Sequence, residues 1–193
     1  MAGNIKRENG SINALIERIK EGDREAFMMV VSLYQRKIFM LAYSFFHNRE
    51  DALDIVQETF FRLHQKIHSF KKEKNFQSWI LQIAKNLCID YYRKHHSKRK
   101  EFEVDKSLEE VKLPFQSPHS SSHSSDLKDI ISRCVKQLAE RQRLIFVMKH
   151  YNQLHYHEIA QILNISLGTV KSLHFKAVQN LRGLISPYLG RQA

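Results

Sequence analysis

Residues 156–172 read Tyr156-His-Glu-Ile-Ala-Gln-Ile-Leu-Asn-Ile-Ser-Leu-Gly-Thr-Val-Lys-Ser172. The apolar spacing predicts a helix over 156–163, a tight turn at Asn164-Ile165-Ser166 and a second helix over 167–186. Ile159, Ala160 and Leu163 are expected to face inward, with Ala160 small where the two helices cross. Ile165 plugs the core at the turn, Ser166 is available as an N-cap, and Val170 anchors the second helix. The pattern is a helix-turn-helix. It leaves Thr169, Lys171, Ser172, Phe175 and Lys176 on the outer face. Lysines there reach phosphates or guanine acceptors, the hydroxyls donate to either, and Phe175 can touch a thymine methyl. The bland alternative is a helical hairpin with a solvated basic face. Against it, residues 127–193 hold ten basic side chains and only three acids, Asp129, Glu140 and Glu158, as a surface facing a polyanion would.

The rest of the chain repeats that imbalance. Its 193 residues carry 31 basic and 20 acidic groups, a net charge of +11. Residues 1–100 hold 19 basic and 11 acidic side chains, whereas 101–126 hold 2 and 6. Two basic blocks flanking an acidic connector suggest two surfaces for nucleic acid, with ordinary solubility charge the competing explanation. Cys88 and Cys134 are far apart at apolar helical positions, fitting buried thiols in a reducing compartment. The histidines lack HExxH or Cys/His spacing, so neither metal nor cofactor is expected. A polar N-terminus without a signal peptide, and no apolar run near the roughly 20 residues a bilayer requires, predict a cytoplasmic protein without membrane insertion.

Upstream, four amphipathic helices are predicted. Ser11 caps a short one carrying Ile12, Leu15, Ile16 and Ile19, ended by Glu21-Gly22. Asp23 opens a long helix with Phe27, Val30, Val31, Tyr34, Ile38, Leu41 and Phe45 on its stripe. Asn48 caps the third, burying Ala52, Ile55, Val56, Phe60 and Leu63. After a break at 69–74, Asn75 caps the fourth, with Phe76, Trp79, Ile80, Ile83, Leu87 and Tyr91 on one face. From about Ser97 the composition changes, and the Ser/His-rich stretch 114–126 has too little apolar surface to offset its ordering entropy. Helices resume near Asp126, with Leu127, Ile130, Ile131, Cys134, Val135 and Leu138 on one stripe, and another follows over 140–151. The expected fold is therefore all-α. An N-terminal helical bundle (11–97) and a C-terminal four-helix domain with the helix-turn-helix (126–190) are joined by a flexible linker (98–125).

A helix-turn-helix does not by itself distinguish repressors, recombinases and other DNA-binding proteins. The deciding segment is Asp51-Ala-Leu-Asp-Ile-Val-Gln-Glu58, which puts Asp51, Asp54, Gln57 and Glu58 on one flank of a helix in a basic domain. That flank suits either solvent or a basic protein partner. It resembles the Asp-x-x-Gln-Glu signature of sigma factors. Phe76-Gln-Ser-Trp79, Ala84-Lys-Asn86 and Asp90-Tyr-Tyr-Arg93 are similar to the next signature of that family, and Leu167-Gly-Thr-Val-Lys-Ser172 to the last. The short length and missing intermediate domain resemble the extracytoplasmic-function (ECF) branch.

The resemblance implies a transcription initiation factor that binds core RNA polymerase and promoter DNA, has an anti-sigma partner and catalyses nothing itself. By it, Asp51, Asp54, Gln57 and Glu58 dock on polymerase. Phe70, the loop 71–75 ending at Asn75, Ile83 and Asn86 form a pocket for a flipped base of the −10 element, with Lys66 nearby. Arg93, Lys94, Lys98, Arg99 and Lys100 hold phosphates, and Trp79 belongs to the core. The −35 duplex is read by Thr169, Lys171, Ser172, Phe175 and Lys176, with Lys149 beside them, and the acidic connector threads the polymerase channel. Leu173 and Val178 depart from the family, which usually has arginines there, so the −35 preference should differ. The main alternative is a stand-alone helix-turn-helix regulator whose first domain senses a ligand or dimerises. A recombinase or nuclease would need a carboxylate cluster or an activated nucleophile, and neither is apparent.

Overall fold

The computed structural model describes the backbone of residues 2–96 and 122–189 and the side-chain surroundings of 11–94 and 129–188. The chain forms two compact units, 1–100 and 101–193. Among the described residues every regular element is helical. Most of the expected linker, including Lys98, Arg99, Lys100 and the acidic connector, lies outside them.

The first unit comprises α1 (Ala2–Lys20), α2 (Arg24–Phe46), α3 (Arg49–Lys66), a 3-10 turn (Ile67–Ser69) and α4 (Phe76–His96). Helix α1 begins well before the expected Ser11 cap, which instead lies inside it. The upstream run Asn4–Glu8 contains good helix formers, and the helix absorbs the roughly 1 kcal/mol that Gly10 costs. Its end is as expected. Gly22 takes φ +88°, a conformation open to glycine and closed to most other residues. Asp23 then caps α2, its Oδ1 accepting from the amides of Glu25 and Ala26 at 2.8 and 3.1 Å. Asn48 caps α3 in the same way through Glu50 and Asp51. Asn75 accepts from the amide of Ser78 at 3.0 Å.

Helix α2 packs on α1, α3 and α4. Ile16, Val30, Ile38, Phe39, Leu41, Leu63, Ile80 and Leu81 are fully enclosed, and each contributes roughly 1.5–3 kcal/mol of burial. The stripe of α4 differs from expectation. Its buried line is Phe76, Ile80, Leu81, Ala84 and Cys88, while Trp79, Ile83, Leu87 and Tyr91 are half-buried. Contacts with both α2 and α3 place the centre of burial between the two flanks.

The second unit comprises α5 (Ser122–Lys136), α6 (Glu140–His150), α7 (Tyr156–Leu163) and α8 (Leu167–Leu189). Helix α5 includes four residues expected in the linker, and α8 runs on past Pro187. Helix α8 packs on α5, α6 and α7 around Cys134, Ile145, Met148, Ile159, Ile162, Val170 and Ala177. Arg143 is 8% exposed. Its guanidinium donates to the carbonyls of Lys136 and Leu138 at 3.2 and 2.8 Å, satisfying one orphan carbonyl at the end of α5 and one in the connection to α6.

Candidate nucleic-acid interface

The helix-turn-helix is built by its caps. At the start of α7 the Glu158 carboxylate reaches back to accept from the His155 amide at 2.7 Å, a capping-box arrangement. Asn164 takes the left-handed conformation at φ 54° and ends α7. Ser166 Oγ accepts from the Thr169 amide at 3.0 Å and shares a 2.8 Å bond with the Thr169 hydroxyl. Inward packing falls to Ile159, Ile162 and Val170. Ala160, Leu163 and Ile165, expected to point inward, are half-buried, because an eight-residue helix gives only two turns to the seam. Ser166→Ala is expected to lower the stability of the second unit by about 1 kcal/mol, measurable as a lower thermal midpoint.

Thr169, Lys171, Ser172, Phe175 and Lys176 are all exposed, Phe175 by 64%. Helix α8 brings these five onto one surface. Lys149 is not part of it. Half-buried on α6, it donates to the Leu154 carbonyl at 3.2 Å and lies 4.8 Å from the centre of the Tyr156 ring. Both contacts lie within its own unit. Leu173 and Val178 are half-buried, so neither presents a side chain fully to solvent.

In the first unit, Asp54 and Gln57 stand exposed on α3. Two of their expected companions are engaged. Asp51 accepts a hydrogen bond from the Tyr91 hydroxyl of α4, and that bond, with burial, pushes the Tyr91 phenol up to about 12. Glu58 pairs with Arg62 at 2.7 Å, an exposed pair worth little energetically. Phe61 lies one turn beyond Gln57 and is 57% exposed. Sequence reasoning missed it because it sits beside the buried Phe60 and looks like core.

The residues expected to meet the −10 element, as base pocket or as phosphate contacts, separate into three sets by exposure. Lys66, Asn86, Arg93 and Lys94 are exposed, and Asn75 and Ile83 are half-buried. Phe70 is 4% exposed. Its ring packs 5.3 Å from Phe76 and 5.0 Å from Trp79, so it backs the exposed loop at 71–74 instead of offering a free face. Helix α2 also leaves Met28, Met29 and Leu33 exposed, a patch hidden in the sequence because their spacing continues the helical apolar pattern. No helix among the described residues is long and apolar enough to cross a membrane.

A helical unit with an exposed acid-and-amide flank, followed in the chain by a helix-turn-helix unit, is the arrangement expected of two-domain transcription initiation factors. Family models support it. Residues 30–98 match Sigma-70 region 2 and residues 128–181 match Sigma-70 region 4. The chain is 32% identical over 180 residues to the ECF RNA polymerase sigma factor SigW of Bacillus subtilis, covering 89% of this chain and 95% of that protein. It is 29% identical over 186 residues to the ECF RNA polymerase sigma-E factor of Haemophilus influenzae, covering 91% and 96%. In fold it is similar to the sigma factor RpoE solved with the anti-sigma factor NepR from Bartonella quintana (TM-score 0.66, 21% identity, 83% of this chain and 96% of that one). It is also similar to CnrH solved with the cytosolic domain of CnrY (TM-score 0.62, 20% identity, 90% and 96%). The chain belongs to the ECF family of RNA polymerase sigma factors.

Proposed function

We propose that this sigma factor binds core RNA polymerase through the α3 face formed by Asp54, Gln57 and Phe61 and directs initiation at promoters with two recognised elements. Asn86, Ile83 and the loop 71–75 take the −10 element as single strand. Lys66, Arg93 and Lys94 hold its phosphates, and α8 reads the −35 element as duplex. The observation that carries the reading is the outer face of α8, where five residues able to touch phosphates or base edges are exposed together on a helix fixed by its Ser166 cap. The protein is a binding and specificity factor with no reaction of its own. The solved complexes of RpoE with NepR and of CnrH with CnrY support an anti-sigma partner here as well.

Mixed with core polymerase, the chain is expected to start transcripts at a subset of promoters in a run-off assay. Failure to bind any bacterial core enzyme would sink the proposal. Tight operator binding by the isolated protein in a gel shift, with no effect of core enzyme, would favour a stand-alone regulator.

A further inference from the structure

Helices α6 and α8 are joined by two imidazoles. Nε2 of His150 and Nε2 of His174 are 2.9 Å apart. The ring planes differ by 24° and the centroids are 5.1 Å apart. The centroid separation exceeds the N···N distance by about two ring radii, so the nitrogens meet head-on and the rings lie end to end. The other nitrogen of His174, Nδ1, is 3.0 Å from the Tyr156 hydroxyl at the start of α7. The Phe146 ring packs 4.4 Å from His150. Three helices of the helix-turn-helix unit thus meet in one hydrogen-bonded chain, at the residue next to Phe175.

Such a chain counts protons. In its neutral form one proton lies between the two Nε2 atoms, donated by one ring and accepted by the other. A first added proton keeps every bond: His174 donates from both nitrogens, to Tyr156 Oη and to His150 Nε2. A second proton sets N–H against N–H and breaks the link, leaving two cations facing each other.

We propose that His150 and Tyr156 are positioning residues for α8, and that this chain makes reading of duplex DNA by α8 depend on pH. The DNA face is held while the chain carries at most one extra proton and is released when it carries two. The inference rests on the assignment of α8 as the −35 reader.

The surroundings disfavour the doubly protonated form. Burial, then the charges of His174 and Lys149, hold His150 below the ordinary histidine value. Burial and then Lys149 do the same for His174. From α7 the titratable group touching the pair is Tyr156; His157 and Glu158 of the same helix are not among the groups shifting either ring. Helix α5, also packed on α8, brings Cys134 to the Leu184 carbonyl, further along the helix. No carboxylate is among the groups shifting either ring. Because both values are lowered by folding, the unfolded chain takes up protons first as pH falls. The stabilisation is fully present above the ordinary value of 6.5 and is lost as pH falls through the lowered values.

The test compares the wild type with His150→Gln and His150→Phe, each as holoenzyme with core polymerase. Glutamine can accept from His174 Nε2 but does not titrate; phenylalanine packs on Phe146 but cannot accept. The readout is affinity for a promoter duplex relative to an unrelated duplex at about pH 7.5 and at the lowest pH the assembled holoenzyme withstands. The wild-type ratio should fall about threefold on acidification, the worth of one weak, exposed hydrogen bond. His150→Gln should stay high and His150→Phe low at both values. Imidazole NMR of the free full-length protein should show His150 and His174 titrating as a coupled pair, with His174 becoming a single step in His150→Gln. A wild-type ratio that tracks His150→Gln, or a His174 that titrates independently in the wild type, overturns the proposal. If no holoenzyme selects a promoter at either pH, the sigma assignment of α8 fails; the NMR titration then decides separately whether the imidazoles are coupled.

Discussion

Asp54→Lys is expected to abolish assembly with core polymerase while leaving the fold intact. Asp54 is exposed on α3, next to the buried Ile55 and Val56, so its side chain contributes nothing to the core. Substitutions at such positions usually change stability by less than about 0.5 kcal/mol, and the thermal midpoint should barely move. Reversing a charge at a docking face replaces attraction by repulsion, which costs several kcal/mol, or roughly a hundredfold or more in affinity. Native gel or size-exclusion assembly with core enzyme reads this directly. Normal assembly by the variant would remove Asp54 from the interface.

Val170→Asp should have the opposite profile: loss of the second unit with the first preserved. Val170 is fully enclosed at the seam of α7 and α8. An unpaired carboxylate there costs roughly 3–5 kcal/mol, against a total of about 5–15 kcal/mol for a typical domain. A unit this small starts near the lower end. Circular dichroism should show loss of part of the helical signal, with a remaining cooperative transition from the α1–α4 unit. Core binding should persist, while initiation at promoters that depend on the −35 element should vanish. Loss of the whole helical signal in one step would mean that the first unit cannot stand alone.

What could be read in advance follows from the range of the interactions involved. Caps are local, so Asp23, Asn48, Asn75 and Ser166 were legible as helix starts, and the turn at Asn164 likewise. Ser11 misled because a good capping residue also tolerates a helix interior, and only the upstream backbone decides between them. The α8 face was legible because five polar or exposed positions follow from one helical period. Lys149 was not, since its engagement depends on the carbonyl of Leu154 and the ring of Tyr156 across a loop. The burial of Phe70 and the exposure of Phe61 were hidden for a similar reason. An aromatic side chain is equally at home inside or at an interface, and the rings of Phe76 and Trp79 decide where Phe70 goes. The His150–His174 link joins residues 24 apart on two helices, and no periodicity reports such a pair.

The Tyr91–Asp51 bond spans 40 residues and ties the first turn of α3 to the far half of α4. With α3 and α4 also joined through the 3-10 turn after Lys66, the two helices form a frame pinned at both ends. A frame of this kind resists splaying under load. On the docking assignment above, a torque applied where polymerase grips Asp54 would swing Asn86 and Arg93 as part of one stiff body, so the unit would transmit force to the melting strand with little of it absorbed as bending.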